Sequence, residues 1–499
     1  MTARSPFFLI SFLLIGLLTA QSKTEQFRAA ALAALAAYDT PGFSVGIIKD
    51  GEVILSEGFG TRTIHQNEPV DGNTLFAIAS NTKAFIGTAI AQLASEGKLQ
   101  LDAPVRDYLP YFALYDDYVS AHTTVRDLLC HRVGLGTFSG DLIWYKSEKT
   151  AEEIIRQIKY LPPAYGWRGG YGYTNLMFIT AGEVIKAVSG KSWDVYIREK
   201  FLAPLGMNRT QTSVLPLKEM DNIATPHVTH RKNLPISMAP WEASGAAGGI
   251  ISSTNDMLKW INAQLNNGTI DKKVIFDEKV QNQTMRVYNS YAGKLDFGGI
   301  GLGWFIYEID GKTVVNHGGG YDGMYSRVLM IPEEKLGIVV LTNSMTGLSS
   351  TLASYIRDVY LKRDTEGWLE KAKEAEASGR KRWQKKFVPA QAAKVLNTRP
   401  TLQLDAMVGT YHDPLFGDII VSESEDGTLE LSFAGSPSLT AGLRHWHYDT
   451  YELDWHEEHA WFDFGTVQFL SDNNQRVTEL QFSVPNDDIF FEEIHPIKQ

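Results

Sequence analysis

Phe76-Ala77-Ile78-Ala79-Ser80-Asn81-Thr82-Lys83-Ala84-Phe85 is the stretch on which the reading of this chain turns. Ser80 and Lys83 stand three residues apart where a helix is expected to begin. Both side chains therefore face the same way, one turn apart. A lysine whose charge is suppressed can take the serine's proton, and a helix N-terminus favours negative charge nearby. The chain would thus have a nucleophilic serine without a histidine base. Spacing alone does not decide it, because Ser95–Lys98 and Ser378–Lys381 repeat the pattern.

Two other elements give Ser80 its company. The first is Tyr173-Thr174-Asn175, preceded by Arg168-Gly169-Gly170-Tyr171-Gly172. A tyrosine beside an amine can pass a proton between nucleophile and leaving group. An asparagine can donate to a substrate carbonyl and hold the lysine through its acceptor oxygen. The glycines let this loop turn tightly and approach a ligand. The second element is His317-Gly318-Gly319-Gly320, at the end of the strand-like run from Thr313. Glycines at a strand edge admit a ligand backbone. A backbone N–H there, paired with that of Ser80, would form an oxyanion hole for acyl transfer.

Ser-x-x-Lys, then Tyr-x-Asn, then a His-Gly box on a late strand resembles the serine β-lactamase and penicillin-binding-protein superfamily. The chain looks most like the class C β-lactamase-related serine hydrolases, which include D-amino-acid peptidases, carboxypeptidases and esterases. The resemblance runs from about Pro41 to Leu361. It takes in Pro41-Gly42-Phe43-Ser44-Val45, Leu128-Leu129-Cys130-His131-Arg132 with Gly134-Leu135, and Gly245-Ala246-Ala247-Gly248-Gly249 before Ser253. It implies that Ser80 is the acylated nucleophile, Lys83 its base or proton relay, and Tyr173 the relay's third member. It further implies that Asn175 contacts substrate and orients Lys83. His317, Gly319 and Gly320 would form the substrate-binding and oxyanion strand, with the Gly320 backbone as second oxyanion donor. His317 stands where the family's familiar box has lysine. A histidine is mostly neutral near neutral pH, so the box lacks a permanent charge for a substrate carboxylate. Esters, amides and D-peptides then fit better than anionic β-lactams.

At 499 residues the chain has room for more than one domain. Hydrophobic content of 44% and charged content of 21% are those of a globular protein. A net charge of −11 argues against nucleic acid as partner. Residues 1–22 read as a signal peptide: Arg4 is the positive n-region, Phe7 to Leu18 is apolar, and Ala20 offers a cleavage site. The run is short for a bilayer span, which needs roughly 20 residues. The expected location is therefore periplasmic or secreted, with no membrane span after cleavage. The one cysteine, Cys130, excludes an intramolecular disulfide and reads as a buried structural thiol.

Glu25 to Tyr38 is alanine-rich and predicts a helix. Phe43–Ile48 and Val53–Phe59 flank Asp50-Gly51 and predict a hairpin. Helical periodicity marks Thr174–Ser189, Ser192–Leu202 and Thr254–Leu265. Strand patterns return at Gly303–Ile309, Thr313–His317, Tyr325–Ile331 and Gly337–Thr342, before a helix at Ser349–Leu361. The expected fold is α+β: one antiparallel sheet built from both ends of residues 23–361, flanked by helices, with a helical subdomain inserted. Residues 362–400 predict a charged helical linker. From 401 to 499, short runs at Gly417–Val421, Leu429–Phe433, Tyr451–Asp454, Ala460–Phe464, Arg476–Phe482 and Ile489–Glu493 predict an all-β barrel. By resemblance this part is lipocalin-like, shaping the cleft or mediating assembly into a homo-oligomer.

Two decoys fall away. Gly42-Phe43-Ser44-Val45-Gly46 matches a nucleophile elbow, but a helix precedes it and a hairpin follows, the reverse of strand–turn–helix. Six of the twelve histidines lie in the C-terminal part, yet His456-Glu457-Glu458-His459 lacks the spacing of zinc proteases. No metal or cofactor is called for. The expected activity is cleavage of an amide or ester in a small-molecule or peptide substrate through a Ser80 acyl-enzyme. The rival is a non-catalytic ligand-binding or regulatory protein on the same scaffold, working through its C-terminal β-domain.

Overall fold

The computed structural model describes residues 7–291, 298–425 and 427–499. The n-region expected at Arg4 lies outside the described residues. Phe7–Tyr38 forms one helix, α1, which contains the helix predicted from Glu25. Among the described residues no helix is long and apolar enough to cross a membrane.

The hairpin at Asp50-Gly51 joins β1 (Gly42–Lys49) to β2 (Glu52–Gly60). Later strands complete the sheet: β3 (Asn289–Ser290), β4 (Gly298–Ile300), β5 (Phe305–Ile309), β6 (Lys312–Tyr321), β7 (Met324–Ile331) and β8 (Leu336–Thr342). The sheet runs β2-β1-β8-β7-β6-β5-β4-β3, antiparallel throughout. It is therefore built from both ends of its part of the chain, as expected. Period-two alternation divides its two faces. Phe43, Val45, Ile47 and Val340 turn to α1 and to α5 (Leu348–Tyr360). Val328, Val339 and Leu341 turn to the helical insert, including α2 (Thr82–Ser95), α3 (Asn175–Ser189) and α4 (Thr254–Leu265). Full burial of such side chains is worth about 1.5–3 kcal/mol each. The decoy Ser44 is an interior residue of β1, with its Oγ receiving Thr254 Oγ1 at 2.7 Å.

After helix α6 (Trp368–Ala392), a closed barrel of eight strands follows. Its strands are β9 (Gly409–Asp413), β10 (Gly417–Glu423), β11 (Leu429–Phe433), β12 (Thr440–His447), β13 (Thr450–Trp455), β14 (Thr466–Ser471), β15 (Val477–Ser483) and β16 (Ile497–Lys498). Tyr411, Leu431, Phe433, Phe469 and Phe482 fill it. Strands β9, β12, β14 and β16 were not anticipated by the sequence runs. Two runs read as strands are loops instead: Ala460–Phe464 has no regular structure, and Ile489–Glu493 holds only a short 3-10 turn at Phe491–Glu493. Their apolar residues are buried mostly against the barrel itself, Phe491 on Phe433, Phe482 and Trp455 and Phe464 on Trp446, with Phe462 also touching Tyr145, which mimics a strand's pattern.

Candidate active site

Ser80 lies in a 3-10 turn, Ala79–Asn81, that leads straight into α2. The turn is tied down from both sides. Phe76–Ala77 pairs with Ile251–Ser252. From β7, Ser326 Oγ donates to Ile78 O at 2.7 Å and accepts Asn81 Nδ2 at 2.8 Å. Ala79 holds φ 47°, the left-handed region, which costs a non-glycine residue on the order of 1 kcal/mol. This strain is absorbed directly before the serine.

One turn on, Lys83 is fully buried. Its Nζ lies 3.0 Å from Ser80 Oγ, 2.7 Å from Asn175 Oδ1 and 2.7 Å from Ala247 O. Burial pulls the amine down to about 7, against the opposing pull of the Asp141 charge. Asn175, the first residue of α3, donates Nδ2 to Asp141 Oδ2 at 2.6 Å, and Trp144 Nε1 donates to Asp141 Oδ1 at 2.8 Å. Asp141 is itself buried, and desolvation pushes its carboxyl up while these donors and Lys83 oppose the rise.

Tyr173 reaches the same point from the glycine loop. Its hydroxyl is a hydrogen-bond partner of Ser80, and burial raises it well above a phenol's ordinary range. The Lys83 ammonium position lies 4.9 Å from its ring. His131, stacked on Tyr173 at 4.4 Å, is buried and held neutral by desolvation. Neighbouring Cys130 is buried with its thiol pushed up to about 12. Gly172 is required here, since a Cβ would fall 1.9 Å from Leu135 O.

His317 sits in β6, which runs on through the glycines to Tyr321 instead of ending at the histidine. Its Nδ1 donates to Gly318 O at 2.5 Å, and burial with the nearby Lys83 charge lowers it to about 3. The ring is therefore neutral. Gly318 and Gly320 line the cleft. Gly319 turns the other way, toward the Ser80 turn: a Cβ there would meet Ile78 O and Ser326 Oγ, both at 2.3 Å. The structure thus gathers Ser80, Tyr173, Asn175, His317 and Gly320 along one cleft of about 510 Å³, with Lys83 buried against Ser80 and Gly319 behind the wall.

Four cleft residues had no signal in the sequence motifs. Asp141 fixes Asn175. Arg327, on β7 opposite Gly318, donates NH2 to Asn316 Oδ1 at 2.6 Å and lies where a Cβ on Gly318 would meet its NH1 at 3.2 Å. No carboxylate pairs with it among the described residues. The box itself carries no permanent charge, as expected from His317, while the Arg327 guanidinium from the next strand lines the same cleft. Trp461 and Asp488 come from the barrel. The two histidines of the decoy go to different places: His456 pairs with Glu430 at 3.2 Å, and His459 stacks on Phe462.

The family model described as Beta-lactamase matches residues 27–361, and one described as a domain of unknown function (DUF3471) matches residues 393–496. Unguisins hydrolase ungD of Aspergillus violaceofuscus is 29% identical over 349 residues, 62% of this chain. The chain spans 59% of that relative's length. The octameric penicillin-binding protein homologue from Pyrococcus abyssi aligns with a TM-score of 0.62 at 22% identity, over 95% of this chain and 99% of that one. A class C beta lactamase from Rhodobacter sphaeroides gives 0.56 at 23% identity, over 66% and 99%. At such identities the two structures establish a shared fold.

Proposed function

Since the chain belongs to the Beta-lactamase family, we propose that it is a serine hydrolase that cleaves an amide or ester through a Ser80 acyl-enzyme. The observation that carries this reading is the contact of a buried, charge-suppressed Lys83 with Ser80 Oγ at 3.0 Å.

Neutral Lys83 draws the proton from Ser80 as Oγ attacks the substrate carbonyl. The oxyanion forms between the backbone N–H groups of Ser80 and Gly320. Tyr173, un-ionised at rest because of its burial, passes the proton on to the leaving group. Water then enters, the relay runs in reverse, and the acid departs. Asn175 holds Lys83 and offers its amide to the substrate. These residues need no metal or organic cofactor for the sequence of steps. We further propose a periplasmic or secreted location, which the apolar run at Phe7 to Leu18 supports.

A panel of p-nitrophenyl esters, D- and L-amino-acid anilides and a chromogenic cephalosporin tests the proposal. Turnover of at least one member, abolished in Ser80→Ala, is expected. No turnover across the panel, or turnover untouched by that substitution, would contradict it. Fractionation of cells expressing the full chain tests the location.

A further inference from the structure

The barrel helps to build the cleft. Trp461, Asp488 and Ile489 are part of the wall that also contains Ser80. They lie on two loops, 456–465 between β13 and β14 and 484–496 between β15 and β16.

The second loop is braced at both of its levels. Asn486 Nδ2 donates to Val484 O at 2.8 Å and Ile489 O at 2.6 Å, while its Oδ1 receives the N–H groups of Asp488 at 2.9 Å and Ile489 at 2.6 Å. Farther along, the Glu493 carboxylate receives Ser139 Oγ at 2.5 Å and Gly140 N at 2.7 Å. Gly140 directly precedes Asp141, so the loop is anchored to the segment that orients Asn175. The other loop lays Trp461 against the oxyanion strand: a Cβ on Gly320 would stand 3.1 Å from its ring.

Asp488 is left without a partner. Among the described residues no donor or cation meets its carboxylate, and burial with the neighbouring Asp487 charge pushes it up to about 7. Its charge is felt at Asp141 and Tyr325. Arg327 does not neutralise it, since neither group is among the charges that act on the other. Asp488 is half-buried in the cleft wall, and a carboxylate held there with no counter-charge is matched by a ligand that brings one.

We propose that Asp488, presented by the barrel, is a specificity residue that binds a protonated amine of the substrate, with Trp461 and Ile489 against its apolar part. The ligands are then amino-acid or peptide amides and esters bearing a free ammonium. This rests on the acyl-enzyme reading for its catalytic meaning, but binding can be measured apart from it.

Calorimetric titration of the full chain with D- and L-leucinamide, and with their N-acetyl derivatives, provides the test. The wild type should bind one free amine at least about tenfold more tightly than its acetylated form, and Asp488→Asn should lose that preference while acetylated ligands stay within about twofold. Asp488→Glu, which keeps the charge, should retain most of the preference. Equal affinity for charged and acetylated ligands, no binding of either, or a preference that survives in Asp488→Asn would overturn the proposal. An amine preference in a protein that forms no acyl-enzyme would uphold it and sink the hydrolase reading instead.

Discussion

Lys83 Nζ lies 3.0 Å from Ser80 Oγ, and its two remaining close neighbours, Asn175 Oδ1 and Ala247 O, are atoms that only accept. A neutral amine has two N–H groups and one lone pair. If both N–H groups go to those acceptors, the lone pair is left facing the Ser80 hydroxyl. The protonated amine instead uses its three donors on all three oxygens. The protonation state of Lys83 therefore decides whether Ser80 donates to it or accepts from it.

This arrangement fixes the acid side of the pH profile. Lys83 works as base only when deprotonated, so kcat/KM for a neutral ester should fall as pH drops through about 7. His317, already neutral above about 3, should add no step in that range. Lys83→Met should lower the rate about 10²- to 10⁴-fold, the usual worth of a general base. Initial-rate measurements across pH on both proteins check this.

Asp141 acts on Lys83 through Asn175 and through its charge, which raises the lysine. Asp141→Asn keeps the shape and removes the charge. The acid limb should move down by about one pH unit or more, the size expected for a nearby opposite charge. A purely structural role would lower the rate and leave the limb in place.

Arg327 gives a charge-dependent prediction. Arg327→Gln should slow acylation by an anionic cephalosporin about tenfold relative to a neutral ester, in line with the loss of a charged hydrogen bond. Stopped-flow comparison of the two substrates reads the ratio.

Gly319 and Gly320 should separate packing from binding. Gly319→Ala drives a Cβ to 2.3 Å from Ile78 O and Ser326 Oγ, in the interior behind Ser80. A loss of about 1–3 kcal/mol is expected in denaturant unfolding, with activity lost alongside. Gly320→Ala meets only aromatic ring edges, Trp461 at 3.1 Å and Tyr325 at 3.4 Å. It should unfold like wild type and alter substrate binding.

The sheet from both chain ends, the helical insert and the cleft motifs were legible because local patterns carry them. Asp50-Gly51 set the hairpin, and Ser80, Tyr173-Thr174-Asn175 and His317 announced themselves by type and spacing. Asp141 and Asp488 did not, because they matter through Asn175 and the docked cleft, far along the chain, and Arg327 did not, because only the register of β6 on β7 sets it opposite Gly318. Ala460–Phe464 and Ile489–Glu493 misled for the same reason. Their apolar side chains are buried against barrel strands distant in sequence and against Tyr145, so a period-two pattern arose without a strand. The glycines after His317 were read as a strand end, but Gly319 is there to admit the Ser80 turn while β6 continues.

Intact-protein mass after treatment with a fluorophosphonate tests the central claim most directly. Wild type should gain one phosphonyl adduct, faster above about pH 7 than below it, and Ser80→Ala should gain none. An unmodified wild type, or an adduct that persists in Ser80→Ala, would contradict the assignment of Ser80 as a nucleophile activated by Lys83.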